Sequence, residues 1–164
     1  MNKNISKSAE DTFVALVIND IDHVSGYSIL KTRLDNEFWG LHKSTQGKKL
    51  FRRGTKIIFY VAGKKVNSKC FVASAECAED LIHFPKSDID AYGGGEHIYI
   101  NYPTEKVILK NINWFSSPVD IYKIMNKMDK FHHSKPQKWG IYIQGGAFSL
   151  TKEDYNLIMK KSNK

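Results

Sequence analysis

Three short apolar runs constrain this chain more than any other feature: Thr12–Ile18 (TFVALVI), Lys56–Val61 (KIIFYV) and Cys70–Glu76 (CFVASAE). Each is too short for a buried helix and is rich in β-branched and aromatic residues. Each is continuously apolar rather than alternating, the pattern of a strand covered on both faces. Gly63-Lys64-Lys65 and Asn67-Ser68 separate the second run from the third, so these two read as a hairpin. His97–Tyr102 alternates with Ile98 and Ile100 on one side. Val107–Phe115 reads as a further strand with Pro103 marking the break before it, and Trp139–Gln144 alternates again with Ile141 and Ile143 inward.

Helix signals are fewer. Ser25–Arg33 and Pro118–Met128 are candidates, and Lys48–Arg53 reads as a short turn of helix ended by Gly54. The clearest is Lys152–Lys161. Thr151 stands at its cap, Asp154 at the reciprocal position, and Tyr155, Ile158 and Met159 form an apolar stripe. Strands outnumber helices and do not alternate with them. The expected class is therefore α+β, a curved mixed sheet or small open barrel with a few flanking helices, and not a doubly wound parallel sheet. With 164 residues and no internal repeat, the chain fits one domain over residues 11–160, with a flexible stretch at 1–10 and a tail at 161–164.

Composition narrows the function classes. Two cysteines, Cys70 and Cys77, exclude a disulfide framework and point to a reducing, cytoplasmic setting. No apolar run approaches the ~18 residues of a membrane-spanning helix. The formal net charge is +8. The excess is uneven: Phe38–Ala75 contains no Asp or Glu, yet holds Lys43, Lys48, Lys49, Arg52, Arg53, Lys56, Lys64, Lys65 and Lys69. Such asymmetry points to one positive face, and a basic face most often meets a polyanion, nucleic acid first among them. A solvated edge without a partner is the plainer alternative.

Signatures of catalysis are sparse. Gly93-Gly94-Gly95 lacks the Gly-Lys-Ser/Thr ending of a phosphate loop and reads as a turn. The two cysteines have no second pair at zinc-ligand spacing, and the neighbours His132 and His133 seldom could point the same way. No serine stands in a Gly-x-Ser-x-Gly context. The expectation is a non-enzymatic protein without cofactor or metal. A hydrolytic site among Asp88, Asp90, Glu96 and His97 is the alternative.

Asn36–Ala62 (NEFWGLHKSTQGKKLFRRGTKIIFYVA) places an exposed-looking Phe38-Trp39-Gly40 beside the polar His42-Lys43-Ser44-Thr45, a short basic helix and Arg52-Arg53-Gly54. Recognition of a base outside the duplex needs such a combination, an aromatic plate to stack on and cations to neutralise the backbone. Gly40 would allow close approach. The residue types alone leave Trp39 open between a core position and a stacking plate.

This segment resembles the EVE family of the PUA-like superfamily, which also contains the YTH readers of methylated adenine. The likeness lies in Phe38-Trp39-Gly40, Leu50-Phe51, Gly54 and Ile57-Ile58-Phe59-Tyr60, and in the closing Lys138-Trp139-Gly140-Ile141-Tyr142-Ile143-Gln144-Gly145-Gly146 followed by Leu150-Thr151-Lys152-Glu153-Asp154-Tyr155. Thr55 stands where the family usually has Asp, and residues 84–135 carry no clear match. The resemblance implies a β-barrel-like fold and a concave pocket for one extruded, modified base: methylated or hydroxymethylated cytosine, or methyladenine. It places a cage tryptophan at Trp39, with Tyr60, Trp114 and Trp139 as second-rank walls and Asn36, Ser44 and Gly40 beside them. Lys43, Lys48, Lys49, Arg52 and Arg53 would hold the backbone. DNA is the favoured partner and RNA the other. EVE domains also occur as readers in restriction systems, so an effector domain or subunit such as a nuclease is an implied partner. An RNA-binding module without preference for modified bases is a further alternative.

Overall fold

A computed structural model describes residues 11–92, 103–131 and 146–163. The three apolar runs are strands β1 (Phe13–Ile18), β3 (Lys56–Val61) and β4 (Cys70–Cys77). Between β1 and β3 lie helix α1 (Gly26–Asp35) and strand β2 (Phe38–Leu41). After β4 come the two-residue β5 (Ile82–His83), the short helix α2 (Ile89–Tyr92) and the long β6 (Glu105–Asp120). The chain ends with α3 (Ile121–Ile124), β7 (Ala147–Leu150) and α4 (Lys152–Ser162).

These strands form one mixed sheet in the order β2-β6-β4-β3-β1-β7, with β5 also paired to β6. β1 runs parallel to β3 and antiparallel to β7, which is why its apolar run is continuous. The β3–β4 hairpin is antiparallel, with a register shift between Phe59 and Tyr60. β6 holds the sheet together by its length: Leu109 to Asp120 pair with β4, and Glu105 to Ile108 run on to pair with β2. The expected class, an α+β curved mixed sheet with flanking helices, is the one observed.

Side-chain alternation divides the apolar residues between two faces. On the inner face Val14, Leu16, Ile18, Ile57, Phe59 and Val61 meet Ile29, Leu30 and Leu34 of α1 and Trp39 and Leu41 of β2. On the outer face Phe13, Ala15, Ile58 and Tyr60 meet Ile121 and Ile124 of α3 and Ile158 of α4.

Helix capping follows local chemistry. The Ser25 hydroxyl accepts the Ser28 N–H at 3.1 Å to start α1. The Thr151 hydroxyl accepts the Asp154 N–H at 3.1 Å to start α4. The reciprocal role expected of Asp154 is not taken. Its carboxylate instead accepts the backbone N–H groups of Asp129 and Lys130, at 2.7 and 3.0 Å, and ties the preceding turn to the helix. Two boundaries also differ from expectation. Pro118–Asp120 belong to β6, because Val119 and Asp120 pair with Phe71 and Cys70, and only Ile121–Ile124 are α-helical. Helix α4 runs to Ser162, which is fully buried and whose carbonyl accepts the Ser116 hydroxyl at 3.0 Å, so the chain is docked past the expected tail boundary at 161. The strands expected at His97–Tyr102 and Trp139–Gln144 lie outside the described residues, as does the Gly93–Gly95 turn.

Candidate nucleic-acid interface

The basic segment leaves the sheet at the end of β2 and returns at β3. His42 donates its N–H to the Thr45 hydroxyl and accepts the Thr45 N–H on its carbonyl, both at 3.0 Å, which closes the first turn. A single 3-10 turn, Lys48–Leu50, follows where a longer basic helix was expected. Gly54 then turns the chain at φ +89°, the left-handed region that favours glycine. Thr55 locks this turn. Its buried hydroxyl donates to the Leu50 carbonyl at 2.7 Å and accepts the Arg52 N–H at 3.2 Å. A threonine thus holds the turn in this chain where the EVE pattern has Asp.

That scaffold presents cations. Lys43, Lys49, Arg52 and Arg53 are exposed. Asp80 fixes the Arg53 backbone through its N–H at 2.9 Å, leaving the guanidinium outside. Lys48 is half-buried and pairs with Glu105 at 3.2 Å, which sets it apart from the other four. A cleft of about 480 Å³ runs beside Lys48 and Lys49 and is bounded across from them by Ile82, His83, Thr104 and Glu105.

Burial corrects the expected exposure of Phe38-Trp39-Gly40: Phe38 is 5% and Trp39 4% exposed. The reason is tertiary. β2 pairs with β6 along one edge, and α1 and α2 pack over it. Trp39 points to the inner face, its ring centroid 5.5 Å from that of Phe59. Phe38 points the other way and stacks on Tyr92 at 5.8 Å. Above Gly40 there is no free space for a ligand, since Pro103 and the Tyr92 ring fill it.

The other expected pocket residues are dispersed. Tyr60 follows Phe59 in β3 and therefore lies on the outer face, packed on Phe71 at 5.1 Å, away from Trp39. Its hydroxyl is buried without a hydrogen-bond partner among the described residues, and burial pushes its ionisation well above the usual tyrosine range. Asn36 caps the end of α1, its side-chain amide donating to the Thr32 carbonyl at 2.8 Å. Ser44 is exposed in the turn after β2. Trp114 is half-buried at the rim of the inner face, its ring edge-on to Tyr27 at 5.5 Å. Trp139 lies outside the described residues, as do Glu96, His97, His132 and His133. Asp88 is engaged by Lys106 at 2.7 Å. Among the described residues no three His, Cys, Asp or Glu side chains are grouped as a metal site.

Two residues linked to Trp39, Arg33 directly and Tyr92 through Arg33, were not singled out from the sequence. Arg33, in the last turn of α1, is 5% exposed. Its guanidinium carbon lies 3.7 Å from the centroid of the Tyr92 ring and 4.6 Å from that of Trp39. Its Nε–H donates to the Tyr92 carbonyl at 3.2 Å, and among the described residues no carboxylate pairs with it. Burial holds this guanidinium below its ordinary pKa. Tyr92 is fixed in turn, its hydroxyl donating to the Gly40 carbonyl at 3.0 Å. A signal for Arg33 was legible in α1: Ile29, Leu30, Arg33 and Leu34 share one buried stripe, and the only cation on it is Arg33.

No protein-family model matches the chain, and no curated protein matches its sequence. Solved structures do match its fold. The N-terminal domain of McrB from Staphylothermus marinus is 15% identical with a TM-score of 0.59, over 98% of each chain. The YTH domain of the Zygosaccharomyces rouxii MRB1 protein, solved in complex with N6-methyladenosine RNA, is 12% identical with a TM-score of 0.57, over 93% of this chain and 87% of that one. Human THYN1, solved in complex with DNA containing 5-methylcytosine, is 9% identical with a TM-score of 0.57, over 93% of this chain and 98% of that one. Identities this low carry the fold alone, and by that measure the chain has the PUA-like α+β fold.

Proposed function

We propose that this chain is a nucleic-acid-binding module that reads a modified base. The observation that carries the reading is the cationic segment after β2, in which Lys43, Lys49, Arg52 and Arg53 are all exposed without an acidic residue in the same stretch. The fold shared with a YTH domain bound to methyladenosine RNA and with THYN1 bound to methylcytosine DNA supports it. Lys and Arg on this loop hold backbone phosphates without regard to sequence. The cleft beside Lys48 and Lys49 gives the strand a path along the loop. A modified or unpaired base leaves its stack at a cost of a few kcal/mol and is received near Trp39, the aromatic plate on the strand from which the loop departs. An apolar site then favours a methylated base by about 0.8 kcal/mol for each CH₂-sized group buried. This mechanism needs no covalent step, cofactor or metal.

The fold shared with the McrB N-terminal domain fits a reader that works with an effector, such as a nuclease domain or subunit. The test is binding to oligonucleotides in DNA and RNA form, each with one methylcytosine, hydroxymethylcytosine or methyladenine, against unmodified controls. The expected result is salt-sensitive binding to all, with one modified base preferred. Equal affinity for modified and unmodified strands would make the chain a general nucleic-acid binder. Cleavage of a strand at catalytic protein concentration would make it an enzyme.

A further inference from the structure

We propose that Arg33 is a displaceable occupant of the aromatic slot formed by Trp39 and Tyr92, leaving it when a base stacks there and moving its guanidinium to the adjoining phosphate. This rests on the reading of the chain as a base reader and assigns the device by which that reader opens.

Phe59 and Arg33 both lie against the Trp39 ring. Phe59 meets the ring from within the core, at 5.5 Å and 46°, and is itself fully buried, so it cannot give way without breaking the inner cluster. Among the described residues the Arg33 guanidinium also lies over this ring, at 4.6 Å. A planar, delocalised cation between two aromatic rings occupies the kind of space a nucleobase would take. For Trp39 to stack on a base, Arg33 has to move.

Arg33 is also suited to move. A buried cation normally keeps its place through a carboxylate, and truncating such a pair is costly. Arg33 has no such partner among the described residues, and one hydrogen bond, from Nε to the Tyr92 carbonyl, holds its head group. Swinging out restores the hydration that burial removed, which offsets the loss of the two ring contacts. The arginine stands in the last turn of α1, and β2 with its basic loop follows directly after that helix. A guanidinium released there joins a surface that already attracts phosphate, where its planar fork pairs with two oxygens.

The experiment compares wild type with Arg33→Ala and Arg33→Lys, using two probes: the free modified nucleoside, which has no phosphate, and a single-stranded oligonucleotide carrying the base that the wild type prefers. Arg33→Ala vacates the slot, so nucleoside affinity should rise by about ten- to a hundredfold, the factor regained when a binding-competent state goes from a few per cent to full population. The same variant loses one phosphate contact, so the log–log salt slope for the oligonucleotide should fall in magnitude by about 0.7. Arg33→Lys keeps the charge but lacks the planar guanidinium that stacks on the rings. It should gain nucleoside affinity while retaining the salt slope. NMR of the wild type gives a reading independent of any variant: the Arg33 Nε–H resonance should lose its ring-current shift when nucleoside is added. If the wild type prefers a modified strand while both folded variants bind nucleoside no better than it does, or if the Nε–H resonance stays in place on saturation, Arg33 is a fixed rivet and the proposal falls alone. If the wild type prefers no modified strand, the reading of function falls and takes the proposal with it.

Discussion

Tyr92 closes over Gly40: its hydroxyl donates to the Gly40 carbonyl at 3.0 Å, and its Cζ lies 2.8 Å from where a Cβ on Gly40 would stand. Pro103 crowds the same spot, its Cβ 2.7 Å away. Neither neighbour can yield cheaply, since a proline ring is rigid and Tyr92 is packed against Phe38 and Phe84. Gly40→Ala should therefore destabilise the fold by about 1–3 kcal/mol, the usual cost of overpacking. Urea denaturation checks this, and wild-type stability would show that the α2 region can lift off β2.

Trp39 is a core contact as well as a candidate plate, so its truncation reports on two things. Trp39→Ala should cost about 3–5 kcal/mol of stability, because it empties a site that is 4% exposed. Binding by that variant alone would not separate folding from recognition. Trp39→Phe keeps a ring against Phe59. In that variant, preference for the modified strand should fall by up to the ~1–3 kcal/mol of one base–aromatic stack while the melting temperature changes far less than in Trp39→Ala. Unchanged preference in Trp39→Phe, with the fold retained, would remove Trp39 from the reader site.

Cation contacts should appear as salt dependence. If Lys43, Lys49, Arg52 and Arg53 each neutralise one phosphate, the log–log slope for duplex DNA should be about −3.6. Reversing Arg52 and Arg53 to Glu should weaken every sequence alike and flatten the slope. Lys48→Ala should have a smaller effect, since Lys48 already pairs with Glu105. Titrations at several salt concentrations decide between these outcomes, and affinity that ignores salt would contradict the interface.

Cys77 supplies a pH signature of the fold. It is fully buried in β4, and burial pushes its thiol up to about 12. The unfolded chain ionises this thiol near its ordinary ~8.5, while the folded chain keeps it neutral. The unfolded state therefore releases a proton that the folded state retains, and stability falls as pH rises from ~8.5 toward 12, by about 1.36 kcal/mol per pH unit for this one group. Cys77→Ala removes that dependence. The difference in unfolding free energy between wild type and variant, measured from neutral to alkaline pH, should narrow as pH rises. A constant difference would show that the thiol is not shielded.

Local chemistry was legible wherever it depends on neighbours in the sequence. The runs at β1, β3 and β4, the hairpin between the last two, the Thr151 cap and the acid-free stretch after Phe38 all follow from periodicity, turn residues and charge. What was missed depends on pairing across the chain. Phe38–Leu41 is four residues long and is a strand because β6 pairs with it, and Pro118–Asp120 are extended because β4 holds them.

The sequence by itself determined the class of fold and the sign of its surface, because hydrophobic period and charge are properties of the chain. Only the tertiary structure decided which aromatic residues could share a site. Tyr60 parts from Trp39 because successive strand residues face opposite sides, and the register with Phe71 and Val17 fixes which side that is. Trp39 is buried, with Arg33 over its ring and Tyr92 against Arg33, because α1 and α2 converge on β2 from opposite directions in the sequence. No local pattern specifies that convergence. It arises from the burial of the α1 apolar stripe against the inner face of the sheet, which carries Arg33 in with it.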